Sequence, residues 1–148
     1  MENFQSQSKK SGDAFEELVY ADLVSRGFGP IDRNYCFTDA GCEVDFRAQS
    51  PLRFEHVEAK GGNPGEGKRP GAQRTDNVKK AIANGCLIKL YNTIYYVVYF
   101  SAKPDPGSYS DKMINLALRH KIIDEVRYLE PINNFKQYWL DFDNELSQ

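Results

Sequence analysis

Residues 42–60 read CEVDFRAQSPLRFEHVEAK. From Cys42 to Ala48 apolar and polar residues alternate. Val44, Phe46 and Ala48 are predicted to point one way, and Glu43, Asp45 and Arg47 the other. A period of two is the period of a β-strand. Ser50–Pro51 is a turn signal, and alternation resumes from Leu52 to Lys60. Val57 and Ala59 are expected on the core side, with His56, Glu58 and Lys60 on the opposite face. Two such strands joined by a short turn predict an antiparallel hairpin.

Working outward, Ala14, Phe15, Leu18, Val19 and Leu23 have helical spacing. They predict a helix from about Gly12 to Arg26, capped by Ser11 or Asp13 and closed by Gly27. Residues 1–10 read as a flexible lead-in. Arg33 to Thr38 is extended, with a turn at Asp39–Gly41. Gly61 to Gly71 is rich in Gly and Pro and reads as a loop. A second helix is expected from Thr75, as its cap, to Asn84, with Val78 and Ile82, and with them Ala81, as candidates for its buried stripe. Leu87 to Leu90 either extends it or forms an irregular return. Ile94 to Phe100 is a buried strand. Asp111 to His120 is a helix with Met113, Leu116 and Ala117 on one side. Val126 to Leu129 is a short strand, and Asn134 to Leu146 a last helix. The order predicts one α/β domain over residues 11–148, a mixed central β-sheet flanked by helices.

The 148 residues and 41% hydrophobic content suit one globular domain. No apolar run reaches the roughly 20 residues that span a bilayer, so no membrane association is expected. Met1 to Ser11 has no apolar segment of a secretory signal, so an intracellular, cytoplasmic protein is expected. Cys36, Cys42 and Cys86 have no CxxC spacing, which favours buried thiols over a zinc site. The net charge of −2 excludes a general nucleic-acid coat, but not a local basic patch.

The chemistry gathers on Asp45, Glu58 and Lys60. Glu58 and Lys60 stand two apart, so their side chains emerge side by side. The hairpin brings Asp45 towards Glu58, to within about 6 Å. Two carboxylates that close repel unless a cation lies between them, and Mg2+ or Mn2+ takes oxygen ligands. A lysine beside the ion can orient an attacking water and offset charge on phosphate. An isolated Glu-x-Lys is normally a solvated strand face. Here it runs straight into Gly61–Gly62, and an Asp on a matching strand precedes it.

With Gly41-Cys42-Glu43-Val44-Asp45-Phe46 followed by Val57-Glu58-Ala59-Lys60, the chain resembles the PD-(D/E)XK nuclease superfamily. That group holds restriction enzymes, RecB-type nucleases and Holliday-junction resolvases. Val44 replaces the proline of its name. The resemblance, over residues 12 to 100, implies a restriction endonuclease-like fold and Mg2+ held by Asp45, Glu58 and the Ala59 carbonyl. It also implies a first-helix carboxylate at Glu16, four residues after Gly12, with Glu17 as fallback. Gln73 could match the RecB-type glutamine, although its tyrosine partner is not evident. His56 shares the face of Glu58 and is a further candidate.

Lys68, Arg69, Arg74, Lys79 and Lys80 form a basic cluster. With Thr75 at a helix start, they offer cations and backbone N–H groups to phosphate. The predicted function is Mg2+-dependent hydrolysis of nucleic acid, with DNA as substrate and endonucleolytic cleavage. A junction resolvase, a non-catalytic nucleic-acid-binding module and a plain interaction protein are the alternatives. No target-recognition domain is evident, so sequence specificity is weak or comes from a homodimer.

Overall fold

The structure is a computed structural model that describes residues 4–62 and 69–130. Among these residues lie three helices, a 3-10 turn and five strands. In chain order they are α1 (Phe4–Ser25), β1 (Ile31–Phe37), β2 (Cys42–Gln49), β3 (Phe54–Lys60), the 3-10 turn (Gly71–Gln73), α2 (Thr75–Tyr91), β4 (Tyr95–Phe100), α3 (Tyr109–Arg119) and β5 (Glu125–Tyr128). The strands lie in the sheet in the order of the chain. β1, β2 and β3 pair antiparallel, and β3, β4 and β5 pair parallel. Parallel neighbours need crossover connections. α2 supplies one between β3 and β4, and α3 the other between β4 and β5.

Two cores sandwich this mixed sheet. On one face, Phe15, Val19 and Leu23 of α1 pack on Phe46, Ala48, Val57, Val97 and Tyr99. On the other, Val78, Ala81 and Ile88 of α2 and Ile114 and Ala117 of α3 pack on Val44, Tyr96, Val98 and Phe100. β4 is buried on both faces from Tyr96 to Phe100. Its unbroken apolar run is the pattern of a central parallel strand.

The predicted hairpin forms, with Phe46 opposite Val57 and Arg47 opposite His56. Ser50 closes its turn, accepting from the amides of Leu52 and Arg53 at 3.2 and 3.3 Å. The expected alternation of β2 holds only in part. Phe46 and Ala48 face α1, but Val44 joins the core beneath α2 and α3. The break falls at Asp45. Across β1 it is matched by Asn34, which takes a left-handed φ of 52° between the paired residues Arg33 and Tyr35. Asparagine tolerates that conformation better than most residues. The face of His56 and Glu58 is not open either, because α2 covers it and both side chains are buried.

Helix limits differ from expectation. α1 begins at Phe4, inside the expected lead-in, and not near Gly12. It ends as predicted at Gly27, with the Phe28 amide donating to the Leu23 carbonyl at 3.1 Å. α2 passes through Gly85 to Tyr91. Glycine is required there, since a Cβ would lie 2.6 Å from the Ile122 carbonyl oxygen and 2.9 Å from the Tyr96 ring. Thr75 does not cap α2. Arg74 occupies the cap position without a side-chain hydrogen bond. α3 is capped by Ser108, and its buried positions are Ser110, Ile114 and Ala117, while Leu116 is exposed. The expected helix Asn134–Leu146 lies outside the described residues.

Beneath α1 the sheet carries a buried charge network. Glu55 is fully buried and takes two hydrogen bonds from the Arg127 guanidinium, both 2.9 Å. Arg127 also donates to the Tyr99 hydroxyl, which in turn donates to Asp22 of α1 at 2.6 Å. Arg53 reaches Glu55 from the rim at 2.8 Å. Removing one partner of a buried pair strands the other, a cost of roughly 3–5 kcal/mol. Arg127→Met is therefore expected to destabilise the protein by about 3 kcal/mol, the low end because Arg53 remains. Urea unfolding of both proteins measures it, and a change under about 0.5 kcal/mol, the size of an ordinary surface substitution, would show that the network contributes nothing.

Candidate active site

Asp45, Glu58 and Lys60 come together at the C-terminal end of β3. Alternation along β3 turns Glu58 and Lys60 towards the α2 face. Glu58 is only 5% exposed. One of its oxygens, Oε2, accepts from Asn84 Nδ2 of α2 at 2.8 Å, and Oε1 lies 3.9 Å from Lys60 Nζ. The latter is an ion-pair distance and too long for a hydrogen bond. Asp45 is held where the alternation of β2 breaks. Its Oδ2 accepts from the Ala59 amide at 2.7 Å, so a carboxylate takes the place of a ladder carbonyl between β2 and β3.

The two carboxyl groups lie close enough to share a hydrogen bond. Burial, that bond and the Asp45 charge push the Glu58 carboxyl up to about 9, against smaller opposing effects of Lys60 and Asn84. The same pair acts on its neighbours. Burial raises the Cys42 thiol, with the Glu58 charge adding to it, and burial raises the Tyr96 hydroxyl, with Glu58 and Asp45 contributing. At neutral pH Glu58 is therefore favoured in its protonated form.

His56 belongs to the aromatic packing on the same face. Its ring lies 5.5 Å from Tyr35 and 5.2 Å from Phe37. Burial and then the Arg47 charge lower it to about 4, so it is neutral at pH 7. Glu16 is half-buried on α1 beside Phe15, whose side chain meets Gly61 just past the end of β3. Its charge also helps raise the Arg33 guanidinium. Glu17 is exposed and forms a forked pair with Arg33 at 2.8 and 3.1 Å.

The basic cluster divides. Arg69, Gln73 and Thr75 line a separate cavity at the start of α2, and Lys68 lies outside the described residues. Lys79 lines an apolar groove with Ile82 of α2 and Met113 of α3. Lys80 is on the opposite flank, three residues after Asn77 and four before Asn84, which places the three on one helical stripe. Both asparagines reach the end of β3. Asn84 holds Glu58, and Asn77 Nδ2 donates to the carbonyls of Gly61 at 3.4 Å and Gly71 at 3.1 Å. Ser101 Oγ donates to the Gly62 carbonyl at 2.9 Å. These bonds pin the two ends of the Gly61–Gly71 loop beside Lys60.

Asn84 and Asn77 were not among the sequence candidates. Their signal was a pair of asparagines seven apart, bordering the buried stripe of a helix. Among the described residues no three His, Cys, Asp or Glu side chains converge as a metal group. Asp45 and Glu58 are a pair of carboxyl groups brought together at the end of β3. Comparison with protein-family models, curated proteins and solved structures finds no match, so the site rests on its own geometry.

The Glu58 shift has a definite sign. A carboxyl raised from 4.5 to about 9 keeps in the folded state a proton that the unfolded chain releases. Its stabilising contribution is full below the unfolded value and is lost as pH rises through the folded one. Metal-free protein is expected to lose thermal stability between pH 5 and 9, and Glu58→Gln to remove most of that slope. Melting curves in chelator across that window test this, and parallel slopes for both proteins would refute it.

Proposed function

We propose that this chain is a divalent-metal-dependent nuclease of restriction endonuclease-like fold that hydrolyses phosphodiester bonds of DNA, acting endonucleolytically. The observation that carries the reading is the Asp45–Glu58 pair, a half-buried and a buried carboxyl group held together with a single ammonium nearby. A structural role would be better served by a full countercharge, as Glu55 receives from Arg127 on the other face of the same strand. The oxygen-only donor set fits a hard cation such as Mg2+ or Mn2+, which satisfies its remaining positions with water. Asp45 and Glu58 would hold it, with the Ala59 carbonyl as the further ligand that the superfamily resemblance implies. Bound there, the ion would supply Lewis acidity that eases deprotonation of water and offsets charge on phosphate.

The chain's own residues divide the remaining work. Asn84 fixes the Glu58 carboxyl by donating to one oxygen, which leaves the other turned towards Lys60. Lys60 has three donors and no acceptor, so it is not a metal ligand. Its ammonium positions the attacking water and neutralises charge growing on the phosphate. Lys80 stands on the stripe that borders the carboxyl pair and is suited to a backbone phosphate. A junction resolvase would use the same machinery, and substrate form alone separates the two.

Two sets of substitutions test the proposal. Lys60→Ala is expected to lower Mg2+-dependent cleavage by about 10²–10³-fold while calorimetric metal binding persists, whereas Asp45→Asn loses both. Linear, circular, single-stranded and four-way-junction DNA are the substrates. Wild-type cleavage by Lys60→Ala would remove the lysine from the mechanism. For binding, Lys80→Ala is expected to weaken DNA affinity and reduce the salt slope by about 0.9, with Lys79→Ala nearly silent. Equal effects of the two would show that the flanks of α2 are not distinguished by the ligand.

A further inference from the structure

Beyond the C-terminal end of β4, a cavity of about 310 Å3 opens between the starts of α2 and α3. That lies at the lower end of the range of small-ligand pockets, about 300–1,000 Å3. It adjoins the candidate site through the backbone. The Ser101 amide donates to the Lys60 carbonyl, and the Ala72 amide donates to the Ala102 carbonyl, one residue before Gln73. The cavity is therefore at the same end of the sheet as the carboxyl pair.

Its lining combines two kinds of group. Arg69, Gln73, Thr75, Asp105 and Ser110 supply hydrogen-bond donors and acceptors, and Tyr109 supplies an aromatic ring. Two of these are unusual. Tyr109 is 78% exposed, a large ring on the surface beside a polar cavity. Ser110 is 2% exposed, and its hydroxyl has no hydrogen-bond partner. Buried hydroxyls are nearly always paired, so this one has capacity left for a ligand.

The composition selects the ligand. A lone phosphate has no use for Tyr109 and is repelled by Asp105. An apolar ligand would leave Gln73, Asp105 and Ser110 without partners. A nucleobase uses both parts, since its face stacks on an aromatic ring and its edge offers donors and acceptors. Glutamine pairs with an adenine edge, and a carboxylate accepts from an exocyclic amine. We propose that this cavity receives one unpaired base of a nucleic-acid strand, stacked on Tyr109 with its edge towards Gln73, Asp105 and Ser110. The inference rests on the nucleic-acid reading of the neighbouring site and deepens it. It makes the enzyme selective for strands that can present a base outside a duplex.

The test uses the full chain and fluorescent single-stranded DNA of roughly 12 nucleotides, within the span of single-strand binding sites. Chelator is present so that binding is read without cleavage. A second strand of equal length carries abasic sites throughout. Tyr109→Ala is expected to weaken binding of the normal strand by about tenfold, the scale of one lost stacking contact. Tyr109→Trp retains the affinity, and the abasic strand is bound equally by all three proteins. Unchanged binding by Tyr109→Ala, an equal loss on the abasic strand, or no binding by wild type would each overturn the base pocket. Cleavage with Mg2+ is measured in parallel. Tyr109-dependent binding without any cleavage would leave the pocket standing and end the nuclease reading. Cleavage with Tyr109-independent binding would do the reverse.

Discussion

Strand β3 is hydrogen-bonded on both sides, antiparallel to β2 and parallel to β4, with a helical layer over each face. From Glu55 to Glu58 every side chain is buried, yet the strand carries Glu55, His56, Glu58 and Lys60. Each is accommodated differently. Glu55 receives two guanidinium groups. His56 stays neutral among aromatic rings. Lys60 sits at the strand end, where its stem is covered and its ammonium reaches the edge. Glu58 is left with an amide, a distant ammonium and a second carboxyl group. The strand contains the means to neutralise a buried carboxylate and applies it on one face only.

Everything around Glu58 is arranged to keep that imbalance in place. Asp45 cannot swing away, because it is tied to the Ala59 amide. That tie requires β2 to break its alternation, which puts Val44 beneath α2 and calls for the left-handed residue Asn34 on β1. On the opposite side, α2 must approach closely enough for Asn84 to reach Glu58. Gly85, next in the chain, permits the approach because a side chain there would strike Tyr96 and the Ile122 carbonyl. Gly71 is constrained in the same way. Its φ is 51°, and a Cβ would lie 2.3 Å from the Ala102 amide nitrogen. The loop that follows Lys60 therefore returns to the sheet at a fixed point.

Much of this was legible in the sequence where the signal is periodic. The hairpin, the buried run of β4 and the short β5 follow from spacing and composition, as does the convergence of Asp45, Glu58 and Lys60. What escaped depends on partners distant in the chain. The strand pattern gave no sign that α2 would roof the Glu58 face, because a strand with polar residues on one face reads the same whether that face meets solvent or a helix. Asn84 was hidden for the same reason. The division of Lys79 from Lys80 needs to know which flank of α2 meets α3. Thr75 has the chemistry of a cap, but the 3-10 turn before it hands that position to Arg74. The Glu55–Arg127 pair spans 72 residues, a separation that no local pattern encodes.

The two faces of β3 also bear on each other energetically. A buried carboxyl group raised as far as Glu58 weakens the fold as pH rises through its titration. The opposite face carries the compensating order. Arg127 and Tyr99 tie β4, β5 and Glu55 to Asp22 of α1, on the face of β3 opposite Glu58. Because Glu55 and Glu58 are three apart on one rigid strand, the network that fixes the first also fixes the position of the second. The buried ion pairs are thus better understood as the frame for the candidate site than as a source of stability alone. Such pairs contribute little net stability, but they hold geometry firmly once formed. A cation bound between Asp45 and Glu58 would meet ligands already in place, so little of its binding free energy would go into ordering them.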